Sequence, residues 1–180
     1  LCSEAAYESL SESYSQYQQY PSKLAALHNK LGDFNFYLNE GNQSIRHYQL
    51  AIDHERVQRD IQFLYLGLTG ITSVTNIYRT VPEALPYLRE AAQVAFRLQD
   101  VDFQIEALNQ LATIYMATGE VDSALLYFEK LVDFKREREM LLELSTDLQQ
   151  FARMLVLQGG YEKAQPYLFE ALDITEKMEA

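Results

Sequence analysis

The chain has 180 residues, 48% hydrophobic and 23% charged, a balance that excludes a wholly disordered polypeptide. Acids outnumber bases 26 to 15, and the net charge of −11 repels phosphate backbones and anionic lipid, so neither nucleic acid nor a membrane surface is an expected partner. A single cysteine, Cys2, permits no internal disulfide and no cysteine-rich zinc site, and no apolar run reaches the roughly 20 residues that span a bilayer.

In chain order, the first expected element is a helix over residues 3–19, with Ala6, Leu10, Ser13 and Tyr17 on one stripe. It reads as the second helix of an upstream hairpin, so residues 1–20 form an orphan and the chain is expected to be part of a larger protein. Its tyrosines, Tyr7, Tyr14, Tyr17 and Tyr20, make it a candidate surface for homo-oligomerisation.

Pro21 opens the first of four expected helical hairpins, at about 21–60, 61–100, 101–140 and 141–180. The reason is a repeat of forty residues without gaps. A small column reads Ser44, Ala84, Ala124, Ala164. A bulky column reads Tyr48, Leu88, Phe128, Leu168, and an apolar one Phe34, Val74, Ile114, Met154. Small residues belong where the two helices of a hairpin cross, and bulky ones fill the space beside the crossing. Gly119 and Gly159-Gly160 mark turns inside hairpins, and Thr80 with Glu83 has the spacing of a capping box. The stretch Tyr65–Tyr78 is rich in glycine and β-branched residues and has strand propensity. Its Leu68, Ile71 and Val74 nonetheless fall in helical core columns, so a helix is expected, the weakest of about nine. Gly67 and Gly70 are read as points of close helix contact. On the last helix, Leu172 and Ile174 are expected to need cover from a further helix or a partner.

The residues Leu111-Ala112, Tyr115, Gly119, Ala124 and Phe128 resemble the tetratricopeptide repeat, as do Gly160-Tyr161-Glu162-Lys163-Ala164 with Tyr167, Leu168 and Ala171. The forty-residue period is similar to the longer variety found in kinesin light chains, Pins-type adaptors and bacterial signalling proteins. The resemblance implies an all-α, right-handed solenoid that works as a non-enzymatic, cytoplasmic interaction module. Its expected partner is a protein or peptide segment, neutral or basic given the acidic chain, held in the concave groove lined by first helices.

The groove residues this implies are three ladders. Asn29, Thr69, Asn109 and Gln149 form one, and Asp33, Ser73, Thr113 and Arg153 another. Phe36, Asn76, Met116 and Val156 form the third, with Tyr37 beside it. Amides and hydroxyls both donate and accept, which suits the main chain of an extended peptide. Chaperone-binding relatives clamp a carboxylate with lysines, which are missing from the matching places here, and Asp33 would repel one. A second reading is a bacterial regulatory domain that senses a signal peptide, with Thr69–Thr75 as its soft point.

Catalytic patterns are absent from the sequence, and no enzyme activity, metal or cofactor is expected. His47 and His54 lie seven apart, but no ligand spacing completes a metal set. His28 stands in a column filled elsewhere by leucine and is expected to be a buried structural histidine. The charged run Lys135–Glu143 reads as a solvated face.

Overall fold

The computed structural model describes residues 20–58, 61–78 and 81–179. These form eight α-helices and no strand: α1 (Pro21–Tyr37), α2 (Gly41–Gln58), α3 (Ile61–Tyr78), α4 (Val81–Leu98), α5 (Val101–Ala117), α6 (Val121–Arg136), α7 (Leu141–Leu157) and α8 (Tyr161–Glu179). The expected orphan helix, Cys2 and Thr80 lie outside the described residues. Acids open several helices (Glu83, Asp102, Asp122, Glu143, Glu162), and bases close several (Arg56, Arg97, Lys135, Arg136, Lys177). Both placements complement the helix dipole.

The chain divides into two compact units, Leu1–Gln104 and Ile105–Ala180, with the division inside α5. In the first unit α1 packs on α2, α2 on α3, α3 on α4 and α1 on α3. Ser44 and Ala84 of the small column are fully buried. The Ser44 hydroxyl donates to the Gly32 carbonyl at 2.7 Å, which marks the α1–α2 crossing. A Leu at either position would wedge the backbones apart.

The stretch with strand propensity is helical throughout as α3. Its Leu68 and Ile71 are completely buried, and tertiary burial outweighs a propensity worth only tenths of a kcal/mol per residue. Thr69, Thr72 and Ser73 turn their hydroxyls back onto carbonyls one turn earlier. Both glycines of α3 face neighbouring helices. A Cβ on Gly67 would stand 3.1 Å from the Asn29 side-chain oxygen and from Ile52, and one on Gly70 would stand 2.3 Å from the Tyr48 ring.

The turns obey the same forty-residue register. Asn39, Gly119 and Gly159 all adopt positive φ inside hairpins, and Gln99 and Glu139 do so between them. At Gly119, the Glu120 N–H donates to Tyr115 and the Gly119 N–H to Met116; Glu40 with Asn39 and Gly160 with Gly159 repeat the pattern. This is the Schellman closure, and it satisfies carbonyls the helix leaves open. Asp100 caps α5 by accepting from the Phe103 N–H at 3.0 Å.

In the second unit a single cluster joins Leu108 and Ala112 of α5, Phe128, Leu131 and Val132 of α6, Leu144, Leu148 and Phe151 of α7, and Ala164, Ala171 and Ile174 of α8. Phe151 sits edge-on to Tyr167, with ring centroids 4.8 Å apart. Two expectations need correction here. Ile174 is buried, because it falls on the stripe of α8 that faces its own hairpin; Leu172 alone of the pair is exposed. The run from Lys135 is also not wholly solvated. Lys135 is buried, with its ammonium 2.6 Å from Asp147 of α7. Its column is apolar on α4, at Ala95, so the helix position faces inward whatever residue stands there.

Candidate functional site

His28 is buried as expected, and the fold brings all three histidines together. The Nδ1 atoms of His28 and His47 lie 3.1 Å apart in a hydrogen bond, and the His28 ring stacks on both His47 and His54. Burial, then His47 and His54, hold the His28 pKa down at about 4, so this histidine is neutral at pH 7. Burial, then Arg46, also lowers that of His47. Among the described residues, no group of three His, Cys, Asp or Glu could hold a metal ion.

In the first unit the ladder residues divide by what they already bind. Asn29 is buried, and its amide donates to the Phe63 carbonyl of α3 at 3.1 Å. It therefore joins two first helices. Asp33 is exposed but accepts a hydrogen bond from the Tyr48 hydroxyl at 2.5 Å. Burial and that carboxylate push the Tyr48 pKa up, so the phenol stays protonated. Thr69 and Ser73 bond to their own helix, Asn76 is exposed, Phe36 is half-buried and Tyr37 is 88% exposed. Ile77, at the same end of α3 as Asn76, is also exposed.

Tyr48 is the residue that sequence reasoning missed. Its bulky column reads as filling space beside the helix crossing, yet its hydroxyl reaches the polar face through the gap that Gly32 and Gly70 leave on either side of its ring. Those two glycines, in columns that need none elsewhere, are the signal that could have found it.

In the second unit the ladder is open. Asn109, Thr113, Gln149 and Arg153 are all exposed. Met116 and Val156 are half-buried at the end of the same helices, and Leu157 is exposed. Each unit thus presents amides and hydroxyls along its first helices, and an apolar patch near their C-terminal ends. Such a surface can hydrogen-bond a backbone and hold an apolar side chain; it presents no nucleophile–base pair.

Residues 105–138 match the tetratricopeptide repeat family. No curated protein matches the sequence. Solved tetratricopeptide-type structures match the fold over most of the chain. BtubC (BKLC) from P. vanneervenii is 16% identical, with a TM-score of 0.77, over 99% of this chain and 75% of that one. A signal transduction ATPase with numerous domains, with a tetratricopeptide repeat sensor, from Pyrococcus horikoshii is 16% identical with a TM-score of 0.75, over 96% and 26%. A Rap protein complexed with Competence and Sporulation Factor is 15% identical with a TM-score of 0.62, over 93% and 47%. The chain therefore spans less than half the length of the last two. The similarity establishes a fold of tetratricopeptide-type helical hairpins. Among the described residues, no helix is long and apolar enough to cross a membrane.

Proposed function

We propose that the chain is a protein-interaction module whose first helices hold an extended, neutral or basic polypeptide segment by hydrogen bonds and apolar contact, without covalent chemistry. The observation that carries this reading is the open ladder of the second unit, where Asn109, Thr113, Gln149 and Arg153 are exposed beside Met116 and Val156. Solvated amides along a rigid helix face are pre-oriented for a peptide main chain, and rigidity lowers the entropy lost on binding. The charge of −11 favours a neutral or basic guest. In the first unit, Asp33, Asn76 and the Phe36–Tyr37 pair are the corresponding contacts, whereas Asn29 supports them from behind.

The test is a peptide array probed with the chain and with an Asn109→Ala/Gln149→Ala variant. Both residues are exposed, so the fold should persist by circular dichroism. Loss of captured sequences supports the reading, and an unchanged capture pattern overturns it. The structure of a Rap protein with Competence and Sporulation Factor favours a second reading, in which a short signal peptide is sensed. A peptide that binds and also changes hydrogen exchange in α3 would favour sensing over passive scaffolding.

A further inference from the structure

On the first-helix face of the first unit, Asp33 is exposed, yet its Oδ1 accepts a hydrogen bond at 2.5 Å from the hydroxyl of buried Tyr48. Asp33 makes no ion pair among the described residues, although exposed Lys30 stands three residues earlier on the same helix. One oxygen is thus fixed by the protein, and the negative charge is left for an incoming group. Burial, then the carboxylate itself, keeps the phenol protonated, so the donor is permanent.

This arrangement is built in one copy only. The Tyr48 ring passes between α1 and α3, where a Cβ on Gly32 would meet it at 2.7 Å and one on Gly70 at 2.3 Å. Glycine inside a helix weakens it, so the passage of this ring costs stability at two places. The Tyr48 column holds Leu88, Phe128 and Leu168 elsewhere, and the Asp33 column holds Ser73, Thr113 and Arg153. A phenylalanine, as at Phe128, would fill the slot as well. What the tyrosine adds is the bond that holds Asp33. On α3, Ser73 turns its hydroxyl onto the Thr69 carbonyl and does not compete for the carboxylate. One turn beyond Asp33, Phe36 is half-buried and Tyr37 is exposed, as is Ile77 in the matching column of α3.

We propose that Asp33 is the subsite for a Lys or Arg side chain of the guest, and that Tyr48 is the positioning residue that fixes its carboxylate. The inference rests on the reading of the first helices as a peptide-binding face, and it says where on that face the guest's positive charge goes. A carboxylate already held in place loses less freedom when it pairs. The apolar stem of the basic side chain lies along the helix surface while its head meets Asp33. Phe36, Tyr37 and Ile77 stand about 5 Å further along the helices, close to the spacing of alternate residues in an extended chain. The guest therefore carries an apolar residue within two positions of its cation.

The test is an array of N-acetylated octapeptides, each printed in three versions that differ at one position, as Lys, Gln or Glu. The parent chain should favour Lys over Gln about two- to fivefold, the range of an exposed ion pair, and should disfavour Glu. Asp33→Asn should bring the Lys and Gln signals together. Glu176→Gln removes the same charge from an exposed site on α8 and should leave the preference unchanged. Tyr48→Phe keeps the ring in its slot; it should reduce the preference in the parent and have no effect in the Asp33→Asn background. Circular dichroism should show every variant folded, since Asp33 is exposed and Tyr48→Phe removes one atom. Peptides captured with equal Lys and Gln signals, or a preference that Glu176→Gln erodes as much as Asp33→Asn, would overturn the subsite and leave the interaction-module reading standing. A Tyr48→Phe effect that persists without Asp33 would overturn the positioning role. A parent chain that captures no peptide at all would overturn both the subsite and that reading.

Discussion

Tyr48 occupies a slot that only two glycines can provide. Alanine normally stabilises a helix over glycine by about 1 kcal/mol. Gly70→Ala should do the opposite, because the new methyl would meet the Tyr48 ring at 2.3 Å and Gly32 blocks retreat on the other side. We expect a loss of about 1–3 kcal/mol in urea denaturation, reduced to nothing or reversed in a Tyr48→Leu background. A Gly70→Ala chain as stable as the parent would refute the slot. The histidine cluster yields a pH prediction of definite sign. The unfolded chain protonates His28 near pH 6.5, but the folded chain resists until about pH 4. Between those values the unfolded state binds more protons, so stability falls as the pH drops and levels off below about 4. His28→Leu, which installs the residue found at Leu68, Leu108 and Leu148, should flatten that slope in thermal melts from pH 7 to 4. An unaltered slope would place the acid sensitivity elsewhere.

At the scale of the element, what could be read in advance was whatever the repeat enforces. The small column was legible because helix crossings exclude anything larger, and α3 was legible because register could be set against propensity. Ion pairs and side-chain bonds between helices were not, since they depend on contacts that are distant in sequence. Nothing local distinguishes Lys135, which is buried, from Arg136, which is exposed. Nothing local says that Asn29 binds a carbonyl of α3 instead of facing a guest, or that Asn39, Gln99 and Glu139 take on a glycine's backbone angle. The Lys135–Asp147 pair supports a prediction about α6 and α7. Asp147→Ala should destabilise by about 3 kcal/mol or more, because it strands a buried ammonium. Lys135→Met together with Asp147→Leu should recover most of that, read from the urea midpoint. Equal losses in the single and double variants would mean that packing, and not the stranded charge, dominates.

For the whole molecule, the governing quantity is surplus acid. The isoelectric point lies near pH 4.7, inside the window where the unfolded chain has protonated His28 and the folded chain has not. Charge repulsion between copies is weakest there, while Leu168, Phe169 and Leu172 stay exposed. Turbidity should therefore peak near pH 4.7, and Leu172→Glu should lower the peak. A maximum that ignores this substitution would show that α8 is not the sticky surface. The same surplus is the ground for proposing the sign of a guest's charge, and it offers none for the guest's identity. Charge is a sum over the chain, whereas recognition depends on which few amides remain unoccupied after folding.

The Schellman turns carry a consequence for how such a chain can change length. The described connections are two to four residues long; each holds a left-handed residue, and all but Gln99–Asp100 are pinned by bonds back to carbonyls of the preceding helix. They hold no slack. One residue inserted in α6 before Phe128 would turn everything after it by about 100°, so Phe128 would take the solvated place of Glu129 while Lys130 took the buried place of Leu131. Compensation inside a turn would break the closure. Among the described residues, insertions and deletions are therefore admissible only as whole hairpins, in steps of forty residues but not of one.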